Sequence, residues 1–199
     1  MSLEDYRTLF FAGSLVVVLI AAAPTLGLVV PFARSGEGFS ELWLLGPNHM
    51  AEDYPFAIAV NEDYRVFLGV GNHMGCSEYY TVYVKFRNQT EPLPSMSDSE
   101  PSPLPPVYEF RFFVVDGEAW ESLLTFELLD VSVEGDSAVV ASIAMNGVAC
   151  SVDSVSIWDA ENDGFYYQLF FELWLYNRTS QDFEYHNRFV GIWLKLSAS

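Results

Sequence analysis

The stretch Tyr79-Tyr80-Thr81-Val82-Tyr83-Val84-Lys85-Phe86-Arg87 decides the fold. Its even positions, Tyr80, Val82, Val84 and Phe86, are apolar, while the odd ones bring Thr81, Lys85 and Arg87. A side-chain period of two belongs to an extended strand with one face buried and one in water. Downstream the alternation returns. Val107 to Val115 sets Tyr108, Phe110, Phe112 and Val114 against Glu109 and Arg111, and Ser137 to Met145 repeats it through Val139, Ala141, Ile143 and Met145. Phe165 to Tyr176 is apolar on both faces apart from Gln168 and Glu172, as a central strand would be. Phe183 to Leu196 comes last, and its aromatic register slips between Arg188 and Gly191, which predicts a bulge.

Shorter strands are predicted at Phe39 to Leu45, Phe56 to Val60, Tyr64 to Val70, Leu123 to Val133 and Val148 to Ile157. Turn chemistry separates them at Gly46-Pro47-Asn48, Asn61-Glu62-Asp63, Asp116-Gly117, Glu134-Gly135-Asp136 and Asn162-Asp163-Gly164. Asn146-Gly147, between two apolar runs, is the signature of a two-residue hairpin. Many short strands with evenly spaced turns predict an antiparallel β-sandwich, immunoglobulin-like in kind. The segment Thr90 to Pro106, with six prolines and four serines, predicts an extended, mobile, exposed connector between two strands.

Ahead of this domain the composition changes. No charged residue falls between Arg7 and Arg34, and apolar sequence runs from Leu9 to Phe32 with few interruptions. Residues 9–33 are long enough, as a helix, to cross a hydrocarbon core of roughly 30 Å. The rival is a cleaved signal with Leu9 to Ile20 as its core and Ala21-Ala22-Ala23 before the cut. Against it, apolar sequence resumes after Pro24, and a proline directly after the scissile bond is unfavourable. The expected organisation is a cytoplasmic tail at 1–8, a single anchor at 9–33, and an extracytoplasmic domain at 34–199. Arg7 and Arg34 tie the positive-inside count, so the acidic domain and its two cysteines set the orientation.

The chain holds 27 acidic and 9 basic residues, a net charge of −18, all of it carried after Arg34. Such a surface repels nucleic acid and anionic lipid headgroups. Catalytic motifs are missing from the sequence: it has no nucleophile elbow, no phosphate-cradling glycine loop and no His-Glu-x-x-His. Carboxylate pairs such as Glu52-Asp53 and Glu62-Asp63 read as turn residues. The sequence thus predicts no catalysis and no cofactor.

Four other groups of residues carry expectations. His49-Met50, His73-Met74 and Cys76 are soft-metal ligand types that a β-sandwich could gather around copper, although their placement in turns argues for simple solvation. His186 reads as a hydrogen-bonded strand residue. Cys76 and Cys150 both lie near strand starts and are expected to form a disulfide closing a loop of about 75 residues, worth roughly 4 kcal/mol in the chain-entropy view. Asn88-Gln-Thr90 and Asn177-Arg-Thr179 are glycosylation sequons at strand ends. Of the tryptophans, Trp43, Trp158, Trp174 and Trp193 are expected to be mostly core, and any two found exposed and adjacent would mark a binding site.

The order of several phrases is distinctive: Phe39-Ser-Glu-Leu-Trp-Leu-Leu-Gly-Pro47, Ala51-Glu-Asp-Tyr-Pro55, Val70-Gly-Asn-His-Met-Gly75, Tyr80-Thr-Val-Tyr-Val84 and Asp116-Gly-Glu-Ala-Trp120. So are Gly164-Phe-Tyr-Tyr-Gln-Leu-Phe-Phe-Glu-Leu-Trp174 and His186-Asn-Arg-Phe-Val-Gly-Ile-Trp193. The chain resembles, over most of 39–196, the membrane-associated and largely archaeal family catalogued as domain of unknown function 1616. That resemblance implies a membrane segment joined to an extracytoplasmic β-domain, and it supplies no activity. The expected role is a non-catalytic cell-envelope interaction module, held in the cell membrane, whose partner is an envelope protein, a surface layer or a glycan. The alternative is a receptor domain for a small molecule or copper.

Overall fold

The computed structural model describes residues 6–7, 10–18 and 37–196. The chain divides into two units, Met1–Glu37 and Gly38–Ser199. In the first, residues 10–18 are helical, and Ser14 Oγ donates to the carbonyl of Phe10 at 2.8 Å. Residue 9 and residues 19–33 of the expected anchor lie outside the described residues. Among the described residues no helix is long and apolar enough to cross a membrane.

The second unit contains ten strands: β1 (Phe39–Leu45), β2 (Ala57–Ile58), β3 (Tyr64–His73), β4 (Glu78–Asn88), β5 (Tyr108–Val114), β6 (Ala119–Glu134), β7 (Ser137–Met145), β8 (Val148–Ile157), β9 (Phe165–Asn177) and β10 (Asp182–Leu196). They form two five-stranded sheets, ordered β1-β3-β6-β7-β8 and β2-β10-β9-β4-β5, which pack as a β-sandwich. Pairing is antiparallel except for β2, which runs parallel to β10 over Lys195–Leu196. The predicted strands match closely, with one large exception. Phe56 to Val60 shrinks to two paired residues, Ala57–Ile58, which meet only Lys195 and Leu196 of β10.

The even residues of β4 face inward as their period requires: Tyr80, Val82 and Val84 are wholly buried and meet Phe171, Leu169 and Leu173 of β9. β9 is the middle strand of its sheet, as a strand apolar on both faces should be. The two wholly buried tyrosines keep their hydroxyls bonded. Tyr80 Oη pairs with Ser40 Oγ at 2.8 Å, and Tyr167 Oη donates to the carbonyl of Ala138 at 2.8 Å. Burial also pushes the Tyr167 phenol up to about 12. Between β7 and β8, Asn146 and Gly147 both have positive φ, 49° and 77°, the twist a two-residue hairpin demands. In β7 the inward set begins on Ala138 and Val140 rather than Val139 and Ala141. A register shift between Val140 and Ser142 then returns Ile143 and Met145 to the core. The slip expected in β10 falls between Tyr185 and Arg188.

The odd face of β4 is not wet. Lys85 and Arg87 are 3% and 6% exposed, because the Pro/Ser-rich segment at 90–106 lies over them instead of standing free. Lys85 Nζ lies 2.8 Å from Glu172 Oε2 of β9 and donates to the carbonyl of Ser102 at 2.7 Å. The Ser102 N–H donates to Glu172 Oε1 at 2.8 Å, and Trp174 Nε1 donates to Glu172 Oε2 at 3.1 Å. A buried ion pair is tolerated only when its remaining valences are satisfied, and here the backbone of the proline-rich segment satisfies them. Pro94 and Ser102 are themselves buried, so the expected mobile connector is a strap.

A cleft between the two open strand edges

β1 ends one sheet, and β10 ends the other except where the stub of β2 covers it. The two edges face each other across a cleft of roughly 630 Å³. One wall is Leu42, Trp43 and Leu44 from β1; the other is Val190, Gly191, Ile192 and Trp193 from β10; Tyr54, Pro55 and Phe56 close one end. Two side-chain bonds hold the rims: Tyr54 Oη donates to the carbonyl of Leu44 at 2.8 Å, and Arg188 Nε donates to the carbonyl of Ser40 at 2.5 Å.

The two tryptophans border the cleft from the outer faces of their sheets. The Trp43 indole lies directly over Gly69 of β3, where any Cβ would collide with it, so glycine at that position is what lets the ring lie flat. Trp193 is 41% exposed, and the Arg87 guanidinium sits 5.3 Å from the centre of its ring. Phe56 is 50% exposed beside Tyr166. No lining side chain is ionisable in the neutral range, and the Tyr54 hydroxyl is already committed.

The expectation of a mostly core set of tryptophans is corrected. Trp158 and Trp193 are exposed, and Trp43 and Trp174 are half-buried. Each projects from an outward-facing strand position or a turn, which periodicity alone did not resolve. Trp43 and Trp193 both border the cleft, but only Trp193 is exposed and no ring contact joins the two, so the condition of two exposed, adjacent tryptophans is not met. Phe56, Gly191 and Tyr54 carried no sequence signal beyond a proline before an aromatic residue and a glycine within an aromatic strand.

Copper ligation finds no geometry. His73 pairs with Phe39 at one end of β1, whereas His49 follows Leu45 at the other, about 20 Å of strand away. His49 stacks on Phe67 and lies 3.2 Å from Glu121, while His73 stacks on Phe39 and lies 3.6 Å from Glu41. Met50 points to solvent, Met74 packs near Gly38, and Cys76 Sγ donates to Glu78 at 2.9 Å. Among the described residues no three His, Cys, Asp or Glu side chains converge on a metal position.

The expected disulfide is also corrected, since both cysteines are free. Cys76 lies past the His73 end of β3, whereas Cys150 of β8 is level with Leu128, past the Tyr64 end. The length of β3, about 30 Å, separates those levels, far beyond the reach of an S–S bond. Hydrogen bonding to the Glu78 carboxylate and desolvation raise the Cys76 thiol above its ordinary value.

Of the two sequons, Asn88 is closed. It is buried, its Nδ2 donates to the carbonyl of Val155 at 2.8 Å, and its Oδ1 accepts from the N–H of Thr90 and of Glu91. Asn177 sits at the β9–β10 turn with Arg178 and Thr179 exposed, and its Nδ2 reaches Glu184 at 2.9 Å. His186 lies in the β10 bulge, where burial first and Arg188 second hold its imidazole pKa below the ordinary value.

Fold and cleft together define a β-sandwich domain with one open seam between β1 and β10. Residues 33–135, about half the chain and spanning β1 to β6, match the family described as Domain of unknown function (DUF1616), and the chain belongs to that family. No curated protein matches it. Among solved structures it is similar to the beta-D-glucoside glucohydrolase from Trichoderma reesei at 9% identity and a TM-score of 0.29. That alignment covers 82% of this chain but only 19% of the hydrolase, and a likeness this loose carries no argument.

Proposed function

We propose that this chain is a non-catalytic interaction module of the cell envelope, tethered through residues 9–33 with its β-domain outside the cytoplasm. Its partner would be an envelope protein, a surface layer or a glycan. One observation carries the reading: the cleft between β1 and β10 is open, with Leu42, Leu44 and Ile192 lining it and no side chain ionisable in the neutral range among its lining residues. An open apolar seam of this kind is a common feature of recognition surfaces. The net charge of −18 supports a partner that is neither nucleic acid nor anionic lipid. The small-molecule alternative rests on the same cleft; its copper form loses support because His49 and His73 stand at opposite ends of β1.

The test is affinity capture from native membranes with the tagged full chain and with its Trp43→Ala/Trp193→Ala double variant. A specific partner retained by the parent and lost by the folded variant is expected. Equal retention by both, or stoichiometric copper in the purified chain, overturns the reading.

A further inference from the structure

The walls of the cleft are side chains, but its rims are backbone. Lys195 donates its N–H to the carbonyl of Phe56 at 2.6 Å, so Lys195 faces the outer side of its sheet. Backbone direction alternates along a strand, so Trp193, Gly191 and Phe189 also turn their N–H and C=O groups outward. β2 does not meet them, since its pairing stops at Ala57. On the facing edge the carbonyls of Ser40 and Leu44 are taken by Arg188 and Tyr54, and Leu42 between them points the same way. An unpaired edge is ordinarily guarded by lysine, proline or a covering loop. From Phe189 to Trp193 this edge carries no lysine or proline of its own, the Tyr54–Phe56 segment closes only one end of the cleft, and Gly191 at its middle is exposed.

We propose that the cleft takes an extended peptide segment of a partner protein, neutral or basic and alternately apolar, which adds as a strand to the open edge of β10. This rests on the interaction-module reading and names its ligand class. Three observations select the occupant. The available polar groups are main-chain donors and acceptors recurring every second residue, about 6.7 Å apart, a spacing that another strand matches and a sugar does not. The floor offered to its alternate side chains is Leu42, Leu44 and Ile192, with Trp193 and Phe56 as lids. The net charge of −18 repels an acidic peptide and equally a second copy of this chain, while drawing a basic one. The edge from Phe189 to Trp193 fits a contact of about five peptide residues.

The experiment uses the full chain in detergent and a fluorescein-labelled heptapeptide of alternating valine and lysine. Two further copies are N-methylated, one at every valine and one at every lysine, so that each loses the donors along one edge while keeping its charge. The expected result is saturable binding of the parent peptide, at least about tenfold weaker binding of one methylated copy, and amide exchange at Gly191 and Trp193 slowed at least about tenfold on binding. Equal binding of all three peptides would show charge attraction alone and overturn strand addition. So would an absence of protection at Gly191 and Trp193, or no binding at millimolar peptide. If the membrane capture still finds a partner through Trp43 and Trp193, only the strand-addition inference falls; if it finds none, the module reading falls with it.

Discussion

The sandwich has two seams, and they are finished in opposite ways. At the β8 side, Asn88 Nδ2 donates to the carbonyl of Val155 and Gln89 Nε2 to that of Ile157, at 2.8 and 3.1 Å. Ser156 Oγ meets Gln89 Oε1 at 2.6 Å, and Cys150 Sγ donates to the carbonyl of Val107 at 3.0 Å. The edge of β8 is thereby occupied by side-chain amides and hydroxyls of its own chain. At the β1/β10 side, only Ser40 and Leu44 are capped by side chains, and leucine, isoleucine and tryptophan line the gap between. A protein that seals one edge with this much hydrogen bonding leaves the other free by composition, not by neglect.

The largest expected effect comes from breaking what underlies the sealed side. Glu172→Ala would strand the Lys85 ammonium, the Ser102 N–H and the Trp174 indole N–H in a buried site. A loss of about 3–5 kcal/mol in denaturant unfolding is expected, with the strap at 90–106 becoming open to protease. An unfolding free energy within about 1 kcal/mol of the parent would mean that the strap is not held by this pair.

A smaller effect separates the seams directly. Asn88→Ala uncaps the Val155 carbonyl and releases the turn at Thr90 and Glu91, at an expected cost of about 1–3 kcal/mol. Trp193→Ala, on the open seam, removes a side chain already 41% in solvent, and a change below about 1 kcal/mol is expected. Urea midpoints of the two variants check the contrast. If Trp193→Ala proved the more damaging, the open seam would be part of the core.

The smallest effect is a pH dependence at the end of the open seam. His186 is held below its ordinary pKa by burial and by Arg188. The unfolded chain therefore takes up the proton more readily than the folded one. Stability from this group is complete above about pH 6.5 and declines as pH falls through that value toward the lower folded pKa. Thermal unfolding between neutral and mildly acidic pH should show this decline, and His186→Gln should flatten it.

Alternation in Tyr79 to Arg87 and its counterparts made the strands legible, because burial on one face leaves a period that any reader can count. It could not say what covers the other face. Lys85 and Arg87 look solvated in sequence and are buried, since a segment distant along the chain arrives to satisfy them. The tryptophans failed for a related reason: period places a ring on a face, but whether that face meets the opposite sheet, a strap or water depends on non-local packing. The disulfide expectation failed on register, because nearness to a strand start says nothing about which end of the sandwich that start occupies. The cleft itself was half legible. Trp43 and Trp193 were singled out, but only the two-residue length of β2 reveals that an edge stays unpaired between them.

That stub has a consequence for how the domain comes into being. Its two residues, Ala57 and Ile58, pair with Lys195 and Leu196, contacts separated by nearly the whole domain in sequence. Closing so long a chain segment is slow compared with forming the local β7–β8 hairpin. The β1 wall of the cleft is synthesised well before the β10 wall, so a nascent chain presents no cleft until β10 has left the ribosome. The cleft thus depends on β10, and fragments ending before Val190 would lack it.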